Sequence, residues 1–311
     1  MNNHLRIFVE SFQALKFSGA SNLAKFALNS LINLCDSSSA SDSDEFIQEL
    51  LYLSKSYMLL KPSRAPLENG LNFVVSRAKI LTTQKVDLSE IKKYVRLSTI
   101  EFLDYMEKAQ TDVALVASKE LKGKKNFLTI CKSSTIINCL DRLNKMESLG
   151  NVFVMETRPN FDGRITAREL GNRGIKTTLI IDNAAQYFIS KVDGVLSGAD
   201  IVFHDGSILN KIGTRQLAIL SKVIGIPFLV LTSCYTFLDS LSSNHNIIYR
   251  SPEDVIAKDL KKDWINVEVI NPPEDITENK LIHKIITDRG VYKPFRIASA
   301  ISEYHDWISS N

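Results

Sequence analysis

An α/β protein is what this sequence predicts: an N-terminal all-α helical domain over residues 1–122, then a Rossmann-like, doubly wound parallel-sheet domain over 123–311. Three observations lead there. Apolar residues recur at helical spacing up to about residue 122. After Gly123 short runs rich in β-branched residues alternate with helical stretches. Those runs are apolar on both faces, as strands buried in a parallel sheet are.

Taken in order, Leu23, Phe26, Ala27, Ser30 and Leu31 share one helical face, and Phe46, Leu50, Leu53 and Tyr57 share another. The polar run Asp36–Asp44 between them supplies capping residues for the second helix. Pro62 and Pro66 interrupt the pattern. A long helix from about Ile91 to Leu121 then carries Phe102, Met106, Ala109, Val113 and Val116 on its apolar side. Strands are expected at Asn126–Ile130, Val152–Met155, Thr177–Ile181, around Val195–Leu196, at Pro227–Leu231 and at Val267–Ile270. Their spacing, roughly 25 residues, leaves room for one crossover helix each, in a parallel sheet of about six or seven strands.

Composition removes several classes of function. The 311 residues are 44% hydrophobic and 23% charged, with 38 Lys plus Arg against 35 Asp plus Glu, a net charge of +3. That excess is too small for a phosphate-tracking nucleic-acid surface. No apolar run approaches the ~18 residues of a membrane span. The start, Met1-Asn-Asn-His-Leu-Arg6, lacks the basic and apolar regions of a secretion signal. Cys35, Cys131, Cys139 and Cys234 form no CxxC pair, and the five histidines show no ligand spacing. A soluble, cytoplasmic protein with neither metal nor cofactor is the expectation.

Ligands of such a sheet bind beyond the carboxyl ends of its strands. Read in order, those ends carry Cys131-Lys-Ser-Ser134, Glu156-Thr-Arg-Pro159, Asp182-Asn-Ala184, Gly198-Ala-Asp200 and Thr232-Ser-Cys234. Ser133 and Ser134 open a helix, where free N–H groups attract phosphate; they also suit a plain N-cap, and the two roles are compatible. Asn210 and Lys211 are expected to reach an anion at the start of the following helix, with Gly213 allowing close backbone approach. Neither GxGxxG nor GxxxxGK[ST] occurs, which points away from dinucleotides and toward a small phosphorylated ligand. Cys131 and Asp200 are the reactive pair. A helix N-terminus and Lys132 are expected to lower the thiol pKa, and apolar neighbours to raise that of the carboxylate. Together they suit proton transfer in a sugar isomerisation; a buried small Cys beside a capping Asp is the equally weighted alternative. His204 lies near this crevice and reads as loop surface.

The segments Glu156-Thr-Arg-Pro-Asn-Phe-Asp-Gly-Arg-Ile-Thr-Ala-Arg-Glu-Leu170, Ile181-Asp-Asn-Ala-Ala185, Gly198-Ala-Asp200 and Asn210-Lys-Ile-Gly-Thr214 resemble the signature of the translation initiation factor 2B alpha/beta/delta family. Cys234–Phe237, Asn271–Thr277 and Ile286–Gly290 extend the resemblance. That superfamily also contains ribose-1,5-bisphosphate isomerase and methylthioribose-1-phosphate isomerase. It implies a helical domain followed by a Rossmann-like one, and in the isomerases a catalytic pair that Cys131 and Asp200 match.

The isomerases also hold phosphate with an N-terminal Arg-Gly-Ala segment; here Ser18 stands where the Arg belongs, ahead of Gly19 and Ala20. Serine cannot replace a bidentate guanidinium. Ile130 replaces the His before the cysteine, and Ser133–Ile136 is similar to the archaeal initiation factor 2B-like branch. Arg64 and Arg158 remain as phosphate contacts. On this balance the resemblance implies an initiation factor 2B-like subunit whose crevice senses a sugar phosphate or nucleoside monophosphate. Such a subunit would contact the alpha subunit of initiation factor 2 and form a homodimer or hexamer, with Phe295–Ile301 contributing to the contact. The alternative is an aldose–ketose isomerase acting on ribose 1,5-bisphosphate or methylthioribose 1-phosphate, with Asp200 and Cys131 as acid and base.

Overall fold

The computed structural model describes residues 3–14, 19–61, 64–83, 86–146, 149–262 and 264–309. In chain order, five helices come first: α1 (Asn3–Gln13), α2 (Ala20–Ser37), α3 (Ser43–Leu60), α4 (Ala65–Thr83) and α5 (Leu88–Glu120). Strands and helices then alternate through β1 (Phe127–Thr129), α6 (Ser134–Met146), β2 (Val152–Met155), α7 (Asp162–Asn172), β3 (Thr177–Ile180), α8 (Ala185–Phe188) and β4 (Gly194–Ser197). β5 (Ile201–Phe203), β6 (Ile208–Lys211), α9 (Thr214–Ile224), β7 (Phe228–Leu231) and β8 (Phe237–Leu238) follow. β9 (Glu274–Thr277), β10 (Lys284–Thr287), β11 (Gly290–Tyr292) and α10 (Ala298–Ser309) complete the chain.

Two compact units result. The first takes residues 1–109, 234–238 and 299–311; the second takes 110–233 and 239–298. In the first, the helices form where apolar residues recur on one face: Leu23, Ala27, Ser30 and Leu31 of α2 are buried, as are Phe46, Leu50, Leu53 and Tyr57 of α3. The polar loop before α3 caps it as expected, the Asp42 carboxylate accepting the Glu45 N–H at 2.8 Å. Pro66 is accommodated in the first turn of α4, where no N–H is required; Pro62 lies outside the described residues. In the long α5, Phe102, Met106, Ala109 and Val113 are buried.

The second unit is built on a seven-stranded sheet of order β11-β10-β7-β4-β1-β2-β3. Its six strands from β10 to β3 run parallel, and β11 is antiparallel at the edge. Strands β1, β2, β4 and β7 are buried at every residue, which is why their sequences read as continuous apolar runs. From β1 the chain moves outward to β2 and β3, then returns to the other side of β1 with β4. That reversal opens the crevice where ligands of this architecture bind.

Two expectations are corrected. Val267–Ile270 is not a strand: Val267 and Ile270 are exposed, and Pro272 and Pro273, beyond Asn271, offer no ladder N–H. The sixth parallel position belongs to β10 instead. Asn210 and Lys211 do not sit in a loop at a helix start but on β6, which pairs antiparallel with β5 and β9 in a second sheet. The signal for the β5–β6 hairpin was Asp205-Gly206, with Gly206 at φ 78° and the Asp205 carboxylate accepting the Ser207 N–H at 2.9 Å. In Phe295–Ile301, the side chains of Ile297, Ala300 and Ile301 are buried, while Phe295, Arg296 and Ser299 are exposed. Among the described residues, no helix is long and apolar enough to cross a membrane.

Candidate active site

Cys131 lies two residues beyond the end of β1 and has a left-handed backbone, φ 65°. Thr157, beyond β2, is left-handed too at φ 64°. For a β-branched residue this is an outlier, and each such residue costs about 1–3 kcal/mol unless its surroundings enforce it. Hydrogen bonds do so here. The Cys131 N–H donates to Thr157 Oγ1 at 2.9 Å, and Thr166 Oγ1 donates to the Cys131 carbonyl at 2.8 Å. Asp182, after β3, receives the N–H groups of Thr157 and Arg158. The ends of three neighbouring strands are thereby tied to one cysteine.

α7 contributes the next group. Gly163 lies so close to β2 that a Cβ built on it would stand 1.7 Å from the Met155 carbonyl oxygen. Only glycine permits that approach, and it brings the preceding Asp162 into the crevice, where it is buried. One oxygen of Asp162, Oδ2, lies 3.2 Å from Lys211 Nζ and 4.0 Å from Cys131 Sγ. Asp200 completes the cluster. Its N–H is tied to the Leu209 carbonyl at 2.9 Å, and its carboxylate acts on the Cys131 thiol across the β4–β1 junction.

The electrostatics of Cys131 differ from the sequence expectation. Burial pushes the thiol up to about 12, and the Asp162 and Asp200 carboxylates reinforce this against the opposing pull of Lys211. Lys132, expected to lower it, is turned to Glu169 at 3.4 Å. Cys131 therefore presents a protonated thiol at neutral pH. It is also the one cysteine of the four that is not fully buried.

Of the expected ligand residues, Ser133 acts as N-cap of α6, its Oγ accepting the Ile136 N–H at 3.3 Å beside Gly198. Ser134 Oγ donates to Gln110 Oε1 at 3.5 Å. Arg158 donates to the Val255 carbonyl at 2.7 Å. The Asn210 amide is buried and donates to Ser197 Oγ at 3.1 Å and Thr214 Oγ1 at 3.0 Å, so its donors are engaged within the protein. At the start of α9 the N–H groups of Gly213 and Arg215 are taken by the Asp275 carboxylate, at 2.7 and 3.0 Å. Gly19 and Arg64 belong to the first unit, where Gly19 precedes α2 at φ 99° and the Arg64 carbonyl starts α4; Ser18 lies outside the described residues. His204 is at the surface, its Nδ1 2.6 Å from Asp239 Oδ1. A cleft of about 530 Å³ opens between Ile130, Met155, Arg158, Gly213, Arg215 and Asp275, within the range of small-molecule sites.

Asp162, Thr157, Thr166, Asp182 and Asp275 were not singled out as site residues from the sequence. All five lie in the Glu156–Leu170, Ile181–Ala185 and Asn271–Thr277 segments that carry the family resemblance, which is their available signal.

The model of the Initiation factor 2 subunit family matches residues 16–294. The chain belongs to that family. Among its relatives, ribose 1,5-bisphosphate isomerase of Thermococcus kodakarensis is 30% identical over 301 residues, covering 96% of this chain and 94% of that protein. A putative methylthioribose-1-phosphate isomerase of Pyrococcus furiosus is 31% identical over 303 residues, covering 92% and 84%. The crystal structure of 5-methylthioribose 1-phosphate isomerase from Pyrococcus horikoshii OT3 superposes with a TM-score of 0.78 at 26% identity, covering 97% of this chain and 88% of that one. The translation initiation factor eIF-2B of Pyrococcus horikoshii OT3 gives a TM-score of 0.80 at 24% identity, covering 95% and 99%; at that identity the likeness concerns the fold.

Proposed function

We propose that this family member is a sugar-phosphate aldose–ketose isomerase, acting on ribose 1,5-bisphosphate or methylthioribose 1-phosphate. The observation that carries the reading is the Cys131–Asp200 pair at adjacent ends of β1 and β4. The resemblance alone weighed toward an initiation factor. The weight moves because relatives named as isomerases cover nearly the whole chain at about 30% identity, while the likeness to the initiation factor structure speaks to fold. One sequence observation favours the sensing role, Ser18 in place of an arginine.

The chemistry asks for one group that takes a proton from the sugar and one that gives a proton back. Asp200 is proposed to take the proton and Cys131, a protonated thiol at neutral pH, to give one back, which reverses the acid and base that the resemblance implied. Ser133 and Ser134 at the α6 N-terminus, with Arg158 and Lys211, are the proposed phosphate contacts in the second unit, whereas the donors of Asn210 are taken by Ser197 and Thr214; Gly19 and Arg64 are those proposed for the first. Residues 1–122 and 123–311 are the proposed helical and ligand-binding domains. The protein is further proposed to be cytoplasmic and to assemble at least as a homodimer, which light scattering at micromolar concentration checks.

The deciding experiment incubates purified protein with each candidate substrate and analyses the product. Turnover is expected, and Cys131→Ser and Asp200→Asn are each expected to remove nearly all of it while ligand binding persists. Absence of turnover on both substrates, with a melting point raised by a phosphorylated sugar or nucleotide, overturns the isomerase in favour of a sensing subunit.

A further inference from the structure

Asp162 is a buried carboxylate that the acid–base pair does not use. Its Oδ2 serves two partners at once, Lys211 Nζ at 3.2 Å and Cys131 Sγ at 4.0 Å, and the side chains of Asp162 and Lys211 are only 7% and 13% exposed. A carboxylate buried to that degree is stable only when paired. Lys211 supplies the charge, while the thiol is the neutral donor within reach of the same oxygen. The placement is enforced by the chain, because Gly163 allows α7 to start against β2 and β6 delivers Lys211 from the opposite side.

We propose that Asp162 is a positioning residue for Cys131: with one oxygen it receives the Sγ–H and holds Lys211, so that Cys131 meets its ligand as an oriented, protonated thiol. Among the described residues, the charged groups that act on the sulfur are Asp162 from α7, Asp200 after β4 and Lys211 on β6, with Lys132 diverted to Glu169. In this arrangement Lys211 is balanced by Asp162 and does not draw the proton off the thiol. The idea rests on the isomerase reading for its catalytic meaning, but the state of the thiol is measurable without any turnover.

The test measures iodoacetamide alkylation of Cys131 against pH in the full chain, read by mass spectrometry of the Cys131 peptide, with Cys131→Ser identifying the signal. Asp162→Asn keeps the shape and removes the charge. Lys211 then faces the sulfur with Asp200 alone opposing it, and the midpoint of the alkylation profile is expected to fall by at least about one pH unit, about tenfold more thiolate at pH 8. Lys211→Met is expected to move the midpoint the other way, because only carboxylates then remain beside the thiol. In the turnover assay, Asp162→Asn is expected to shift the basic limb of kcat/KM to lower pH, which a merely structural carboxylate would not do. An unchanged midpoint in folded Asp162→Asn, or a lowered one in Lys211→Met, overturns the proposal; should Asp162→Asn not fold, Lys211→Met alone decides it. Lack of turnover in the wild type would sink the isomerase and leave the alkylation result standing.

Discussion

Asp182 Oδ1 receives the N–H of Thr157 at 2.8 Å, and the left-handed Thr157 in turn receives the N–H of Cys131. The carboxylate acts on the cysteine without touching it. Asp182→Ala removes the acceptor of two backbone N–H groups, one of them on the buried Thr157, and is expected to cost about 2–3 kcal/mol. Turnover should fall with it, because Thr157 relaxes and the thiol moves. Urea denaturation combined with the substrate assay checks this; wild-type stability with wild-type kcat would disprove the linkage.

Gly163 is expected to tolerate no side chain. The alanine methyl would stand 1.7 Å from the Met155 carbonyl oxygen, a backbone atom that cannot swing aside. Gly163→Ala is expected to destabilise by at least about 3 kcal/mol, above the usual overpacking cost. A thermal midpoint within about 2 °C of the wild type would refute it.

Asp275 gives a pH dependence whose sign follows from burial. Desolvation raises its carboxyl to about 6, against the bonds it accepts from the N–H groups of Arg215 and Gly213. Between the unfolded value near 4 and the folded value near 6, the native state binds more protons than the unfolded one, so this group makes stability fall as pH rises through that window. Asp275→Asn removes the dependence at the cost of one backbone hydrogen bond. Across pH 4, 5, 6 and 7 the denaturation midpoint of the wild type is expected to fall relative to that of Asp275→Asn as pH rises, because only the wild type loses a bound proton in that window. Parallel curves would contradict the assignment.

In the helical unit, the buried Asn69 side chain donates to the carbonyls of Tyr235 and Phe237, at 2.9 and 2.7 Å. Asn69→Ala leaves both acceptors without this donor and is expected to cost about 2–4 kcal/mol. Asn69→Asp is expected to be no better, because a carboxylate offers no N–H to either carbonyl. Thermal melts of both variants check it; a loss confined to Asn69→Ala would show that packing rather than donation matters.

What the sequence determined by itself was whatever depends on local periodicity and on short motifs. The faces of α2 and α3, the cap at Asp42, the buried strands β1, β2, β4 and β7, and the placement of Cys131 and Asp200 at neighbouring strand ends were all legible, because each is a pattern within a few residues or follows from strand order. The tertiary structure alone decided the rest. It put β10 rather than Val267–Ile270 in the sheet, since ladder pairing is a contest among distant segments. It also set the chemistry of the thiol: Lys132, adjacent in sequence, turns away to Glu169, while Asp162 and Lys211, 31 and 80 positions further along the chain, meet beside the sulfur. A pKa answers to distance and burial in three dimensions, and neither quantity is written in the order of residues.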